Sequence, residues 1–502
     1  MCRRKAAGSQ SPPSRGLALR GNGIVGVSFR ILGGWSEIPC LDGGLCVPVI
    51  RGDRPWENDY AVLHGTVLWD PAEELFKAWY HCDGCCYAVS RDGLNWEKPE
   101  YDLFPWQGRA TNIVYRGFDP KRLEEKQFNL DNVSVMIRPD ETDPGRRYRL
   151  FTFQAPTSAS AKERYGAACY GYYTACSADG VHWHSGAKPV LSRLDDPDMS
   201  DCHTCMYDPL KRRFIAFTKR HLYRPDGVGD QGPIQRVRGI SFSSDFEHWT
   251  TPRTCLVPDD HDDRDVNLYN MSGFVYEGMY LGLIEVYHSS DDHRTMARMR
   301  DVQLVSSRDG EHWWRAGGRR AFLSPSGQAG RWDAYMLDIH SGGPILRGER
   351  LWFYYGGRAR HHVPGDTLFP RDRKLAAIGL ATLRRDGFVS YDADAEGGTL
   401  TTKPLMIGSG GELRINASVR GDLRAEVLEV AEVDAPSMEP SWRFRMGGAL
   451  EGFGTQDCRG LTGDCMNEPL TWRGGGLGRW RERPVILRFH LTDGEFYSFW
   501  MA

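Results

Sequence analysis

The sequence predicts an all-β chain, with a five-bladed β-propeller at residues 50–397 and a β-sandwich at 398–502. Three observations carry that prediction. A seven-residue box recurs along the chain, paired aromatic-rich segments lie between its copies, and the pattern changes near Gly398.

The box reads Ser90-Arg91-Asp92-Gly93-Leu94-Asn95-Trp96 and returns at Ser177–Trp183, Ser243–Trp249 and Ser307–Trp313, with a degenerate copy at Thr382–Phe388. Its aspartates, Asp92, Asp179, Asp245, Asp309 and Asp386, are 87, 66, 64 and 77 residues apart. Such intervals are too long for a solenoid and suit one four-stranded blade plus loops. Asp-Gly or Asp-Phe fits a tight turn, and the Trp folds back onto the blade. The Ser, Asp and Trp of this Asp-box repeat are therefore expected to be structural, and Trp96→Ala or Trp183→Ala to cost about 3–5 kcal/mol.

Each repeat opens with an apolar run, turns at an acidic corner and returns as a second strand. Gly65–Trp69 leads through Asp70-Pro71 to Phe76–Tyr80, and Val133–Ile137 through Pro144-Gly145 to Tyr148–Phe151. The same reading pairs Cys205–Tyr207 with Phe214–Phe217, Ser272–Tyr276 with Tyr280–Ile284, and Gly343–Leu346 with Leu351–Tyr355. Helical periodicity is confined to a short turn near Lys121–Lys126. Beyond Gly398, Glu412–Ala417, Arg424–Val430 and Val485–Leu491 alternate apolar and polar residues, the pattern of half-buried antiparallel strands in a sandwich.

Residues 1–49 read as a tail and lead-in, partly disordered. The basic start lacks an apolar stretch behind it, so no secretory signal is expected, and the default is a cytoplasmic protein unless the true start lies elsewhere. A net charge of −3 argues against a nucleic-acid partner, and no run is long and apolar enough to span a membrane. The thirteen cysteines include two close pairs, Cys82/Cys85 with Cys86 adjacent, and Cys202/Cys205. Their spacing matches a zinc knuckle, but they lie far apart on strands, so free buried cysteines are expected, with no metal and no cofactor.

In a propeller the residues ahead of each innermost strand converge on the central funnel. Those positions are acidic: Trp56, Glu57 and Asp59; Asp131; Asp201 with His203; Asp265 with Asn267 and Tyr269; and Asp333, Tyr335, Asp338 and His340. Converging carboxylates suit glycosyl transfer to water, one protonating the leaving oxygen and another serving as nucleophile or base. Taken singly, an Asp ahead of a strand is equally ordinary turn chemistry.

The boxed repeats, the Pro55-Trp56-Glu57-Asn58-Asp59 entry, Asp131, the Arg238–Ser241 lead and the Asp386–Ser390 exit together resemble a known group. It is the five-bladed propeller glycoside hydrolases, the invertase-like and arabinanase/xylosidase-like families 32 and 43. The C-terminal region, ending Tyr497-Ser498-Phe499-Trp500, is similar to the domain appended to invertase-like members. The resemblance spans residues 50–502. It implies a carbohydrate substrate, Asp59 as nucleophile or base and Asp131 as the sugar-positioning Asp. The acid that the family takes from blade three has no Glu at the matching place, leaving Glu285 or Asp201. Glu57, Trp56, His203, Asp265, Tyr269, Tyr335 and Asp338 are the expected substrate contacts. A non-catalytic carbohydrate-binding propeller is the main alternative. A sialidase is another, and would draw an arginine cluster from Arg220, Arg238, Arg358 and Arg360.

Overall fold

A computed structural model describes residues 27–30, 36–37, 47–82, 84–118, 128–225, 232–289, 298–362, 375–408, 410–432, 444–481 and 483–502. The expected turn at Lys121–Lys126 lies outside them. The described residues are nearly all β, with one short α-helix at Ala159–Tyr165. The chain divides into two compact units, Gly33–Leu383 and Arg384–Ala502 with residues 1–32, a division that falls inside the degenerate fifth box.

The first unit is built from antiparallel runs that follow the repeats. Val62–Asp70, Leu75–Cys82, Gly84–Ser90 and Ile113–Tyr115 form one sheet, and Phe128–Ile137, Tyr148–Pro156, Gly171–Ser177 and His184–Ser185 form the next. Met199–Asp208, Arg213–Tyr223, Ile234–Ser243 and Arg253–Leu256 make a third. Two later runs, led by Val266–Tyr276 and Met336–Ile339, are joined into one larger sheet through a single parallel pair, Arg300 with Met336.

Leading strands of successive runs are tied to one another in chain order. Val135 N–H donates to Thr66 Oγ1 (2.8 Å), Cys205 N–H to Ser134 Oγ (3.1 Å), Thr204 Oγ1 to the Met271 carbonyl (2.6 Å) and Ser272 Oγ to that of Gly342 (3.1 Å). The Ser341 N–H then returns to the Gly65 carbonyl (2.8 Å), so the circuit closes on the strand where it began.

The four full box copies close the same set of hydrogen bonds. In the first, Asp92 Oδ1 accepts from the Leu94 and Asn95 N–H groups and from Ser90 Oγ, while Ser90 Oγ accepts from the N–H of Gly93, whose φ of 76° suits a residue without a side chain. Asp179, Asp245 and Asp309 repeat the arrangement. The carboxylate thus replaces backbone partners that a tight turn leaves unsatisfied.

The box tryptophans divide by burial. Trp96, Trp183 and Trp249 are only half-buried, whereas Trp313 is 3% exposed and meets Phe217 edge-on at 5.3 Å. The large truncation cost therefore belongs to Trp313. Trp313→Ala is expected to lose about 3–5 kcal/mol in urea melts, and Trp96→Ala distinctly less. Equal losses would show that burial does not set the ranking.

Cysteine pairing departs from expectation. Cys82 and Cys86 form a disulfide with Cα atoms 6.2 Å apart, because the hairpin of Leu75–Cys82 and Gly84–Ser90 sets them on facing strands. That correction removes Cys82 from any zinc pairing. Cys85, Cys202 and Cys205 are free and buried.

In the second unit the described strands all belong to one nine-stranded sheet, where two stacked sheets are the sequence expectation. Its spine is a pair of long strands, Leu413–Glu432 and Pro484–Met501, running antiparallel with ladder shifts at Asn416/Ala417 and Val419/Asp422. The predicted alternation is what buries Leu413, Ile415 and Ala417 together with Leu487, Phe489 and Leu491 in one core.

Candidate active site

The leading strands of the first unit share an irregularity that builds the site. Their ladders skip at Val62–Thr66, Asp131–Val133, Ser200–Thr204 and Leu268–Asn270. A skipped ladder re-aims the side chains within it. At these skips stand His64, Asp131, Asp201 and Tyr269, whereas Asp338 lies in an unbroken ladder on Met336–Ile339, opposite Gly356.

Charge binds these residues into one cluster. His64 Nδ1 lies 3.2 Å from Asp131 Oδ1, and its Nε2 lies 3.2 Å from Asp338 Oδ1. Asp338 is fully buried, ion-paired to Arg300 and bound by Arg358 at 2.8 and 3.1 Å. Arg300 also sits 3.0 Å from Glu285, whose other oxygen accepts from the Ile339 N–H at 2.8 Å. Asp201 ion-pairs with Lys219 and accepts from the Cys202 N–H at 2.7 Å. Lys219 and Arg300 both lie over the Tyr269 ring, at 4.4 and 4.5 Å.

Burial opposes every charge here, so the partners decide the outcome. Burial would raise Asp131, but the hydrogen bond and charge of His64 hold it below the ordinary carboxylate value. Burial would likewise raise Asp201, and Lys219 more than offsets it. Asp338 is held well down by Arg358, Arg300 and His64 in spite of its enclosure. Glu285 goes the other way: burial pushes it up, Arg300 only partly counters, and Asp338 adds repulsion.

His64 has two competing contacts at Nε2, Asp338 and, at 2.8 Å, Arg358 Nη2. A neutral ring would accept from Arg358, and a charged ring donates to Asp338. Burial and Arg358 push its pKa down, but Asp338 and Asp131 outweigh them and raise it from 6.5 to about 9, so we assign the imidazolium. The folded state therefore keeps a proton that the unfolded chain releases near pH 6.5. Its stabilisation is complete below pH 6.5 and lost as the pH rises through about 9. Thermal melts stepped across that window are expected to fall for the parent and to flatten for His64→Gln; parallel slopes would remove His64 from this role.

The expected site residues separate into distinct groups. Asp131, Asp201, Glu285, Tyr269 and Asp338 belong to the cluster. Of its carboxylates, Asp131 and Asp201 are partly open, with 23% and 35% of their side chains exposed, while Glu285 and Asp338 are sealed. Tyr335 adjoins through backbone, its carbonyl accepting from the Arg300 N–H, and its ring stacks on His361 at 3.9 Å.

Others serve the fold. Glu57 is buried with both oxygens occupied, by Tyr80 Oη (2.5 Å), Lys98 Nζ (2.6 Å) and the Arg54 N–H (2.9 Å). Trp56 donates from Nε1 to Asn112 and packs in the core. The His203 ring is buried between the carbonyls of Asp201 and Phe151, and burial lowers its pKa to about 4. Asp265 is buried, its carbonyl accepting from Asn267 and Ser289. Asp59 belongs to neither group: it is exposed, with a left-handed φ of 56°, in a surface groove.

Sequence reasoning missed His64, Lys219 and Arg300. Their signal is faint but present: His64 directly follows the apolar Ala61–Leu63, Lys219 stands two residues after Phe214–Phe217, and Arg300 two before Val302. Three of the four arginines named for the sialidase alternative have partners within the chain. Arg358 is committed to Asp338, Arg220 to Asp196, and Arg238 donates to the carbonyls of Tyr269 and Phe217. Among the described residues no group of three or more His, Cys, Asp or Glu could hold a metal ion.

No family model and no curated protein sequence matches the chain. Among solved structures it is similar to an N-acetylgalactosamine deacetylase from F. plautii in complex with blood group B trisaccharide. That match has 15% identity and a TM-score of 0.48, and covers 68% of this chain and 96% of that one. A glycosyl hydrolase from Bacteroides ovatus matches at 12% identity and 0.41, over 69% and 96%. A fructofuranosidase from Schwanniomyces occidentalis, complexed with fructosylnystose, matches at 11% and 0.41, over 92% and 98%.

Proposed function

We propose that the chain is a five-bladed β-propeller followed by a β-sandwich whose layers share the two long strands, and that its funnel hydrolyses a glycosidic bond in a poly- or oligosaccharide. The closed hydrogen-bonded circuit of leading strands supports the propeller. One observation carries the chemistry: Asp131 and Asp201 are partly open carboxylates at matching strand skips, each backed by a fixed cation, and close enough for the charge of one to act on the other.

In this reading Asp131, kept ionised by His64, is the nucleophile or the base that takes a proton from water. Asp201 is the proton donor. Lys219 keeps it ionised while the site is open, and a sugar seated on it removes its remaining water, the effect that raises a carboxyl pKa. Glu285, the sealed carboxyl, positions Arg300 and thereby Asp338. Asp59 is a substrate contact outside the carboxylate pair.

A second reading has its own support. The only cluster carboxyl that is pushed up, Glu285, is closed to solvent, whereas the two open ones are held ionised, as in a funnel that binds sugar without cleaving it. Nitrophenyl glycosides and plant and microbial oligosaccharides, screened for products by chromatography and for binding by calorimetry, decide between them. Cleavage supports hydrolysis, binding without products supports the carbohydrate-binding protein, and neither result would sink both.

A further inference from the structure

A groove of about 470 Å³ opens between the lead-in segment and the last run of the first unit, lined by Arg51, Asp53, Asp59, Arg331, Trp332 and Leu375 among others. Its volume falls within the range of about 300–1,000 Å³ that small-molecule sites occupy. It shares backbone with the carboxylate cluster. The Asp59 carbonyl accepts from the Ala376 N–H, the Ala376 carbonyl accepts from the Ala61 N–H, and Tyr60 between them feels the charges of Arg358, Asp338 and Asp131. Ala359, also in the lining, follows Arg358.

Trp332 is set as a flat surface in this groove. One side of its indole stacks on Tyr355, with centroids 5.5 Å apart and planes 26° from parallel. It lies across Gly357 and Gly379, where a Cβ would come within 2.5 Å of the ring at either position. Two adjacent strands are thus bare of side chains where the indole rests. Trp332 remains half-buried, and the rest of it lines the groove.

The rim supplies acceptors. Asp59 is exposed, and the Asp53 side chain is 66% exposed while holding Lys98 at 2.6 Å. Arg331 is already tied to Asp333 by hydrogen bonds of 2.9 and 3.1 Å. Arg51 and Arg331 balance Asp53 and Asp59 in the lining, so the groove carries no net charge to select an ionic ligand. An aromatic face with carboxylate acceptors beside it suits a neutral sugar ring, which lays its C–H face on the indole and donates its hydroxyls to the oxygens.

We propose that this groove is a second sugar-ring subsite, with Trp332 as platform and Asp59 as hydroxyl acceptor, so that the protein takes a neutral oligosaccharide spanning the groove and the carboxylate cluster. The inference rests on the carbohydrate reading above. It also explains why Asp59 stands apart from the buried charges.

Calorimetry with xylose, arabinose and fructose and with the matching trisaccharides tests it on the full chain. For the series that the parent binds, Trp332→Ala is expected to weaken the trisaccharide by on the order of tenfold and leave the monosaccharide unchanged, the size expected of one aromatic contact. Trp332→Tyr should restore most of the loss. Asp59→Gly, which accepts the left-handed backbone and lies on the surface, should also weaken only the trisaccharide. Trp314→Ala removes an indole that is 54% exposed elsewhere and should change nothing. If Trp332→Ala and Asp59→Gly bind the trisaccharide as the parent does, the subsite is wrong while the carbohydrate reading stands. If the parent binds none of these trisaccharides while it binds or cleaves another oligosaccharide in the wider screen, the subsite for these sugars is wrong; if it binds no oligosaccharide at all, both fall together.

Discussion

Asp338→Asn is expected to destabilise the protein by about 3–5 kcal/mol, the cost of leaving buried charge uncompensated when one partner of an ion pair is removed. Asp338 is fully enclosed and faces Arg300, Arg358 and His64 at once. Asn keeps the shape and removes the one anion common to all three cations, so the loss is electrostatic rather than a cavity. Salt should not rescue it, because ions in solution do not screen a pair they cannot approach. Adding His64→Gln to Asp338→Asn removes one of the stranded cations and should recover part of the loss, which a double-mutant cycle in urea measures. An Asp338→Asn protein that melts within about 1 kcal/mol of the parent would mean that Glu285 and Asp131 already balance the cations.

Much of the fold was legible in the sequence because its signals are local. The Ser-Asp-Trp box is a turn that closes on itself, so its copies announced the repeats, and strict alternation announced the strands of the second unit. What the sequence could not show was how far a strand pairs. Ile415 and Leu487 alternate alike whether their strands lie in two sheets or in one, and only long-range hydrogen bonding joins them into one. The disulfide was hidden for the same reason: Cys82-Asp83-Gly84-Cys85-Cys86 offers two choices of partner for Cys82, and strand register takes Cys86.

The site was legible in its acids and illegible in its bases. Asp131, Asp201 and Asp338 stand out together, as acids that recur at the start of successive strand runs, although any one of them alone reads as turn chemistry. His64 meets Asp131 and Asp338 from other runs, whereas strand pairing sets Lys219 beside Asp201 and Arg300 beside Asp338, contacts that only long-range register reveals. Asp59 shows the converse limit. Its neighbour Tyr60 lies within reach of the cluster, and a left-handed turn at Asn58 and Asp59 leaves the carboxylate itself on the surface. Placement one residue away in sequence did not carry placement in the site.

Asp131→Asn separates chemistry from folding more cleanly than any other change in the cluster. The side chain is partly open, Asn retains its outline, and the Asn132 N–H can still donate to the amide oxygen, so the fold is expected to hold, losing only the part of the His64 stabilisation that Asp131 supplies. Turnover of whatever glycoside the parent cleaves should fall by at least on the order of a hundredfold, the lower end of what a general acid or base contributes. Asp201→Asn should lose comparably. Replacing Lys219 with Met leaves Asp201 in place but withdraws the cation that holds it ionised, so the basic limb of the pH–rate profile, which the proton donor sets, should move upward. A readout independent of turnover accompanies these. Asp131 is one of the two carboxylates that hold His64 up at about 9, so in Asp131→Asn the imidazole resonance should titrate at a lower pH than in the parent. Should His64 shift as expected while turnover stays at the parental rate, the cluster is correctly drawn and Asp131 is not the reacting carboxylate; should neither change, the pairing of His64 with Asp131 is itself wrong.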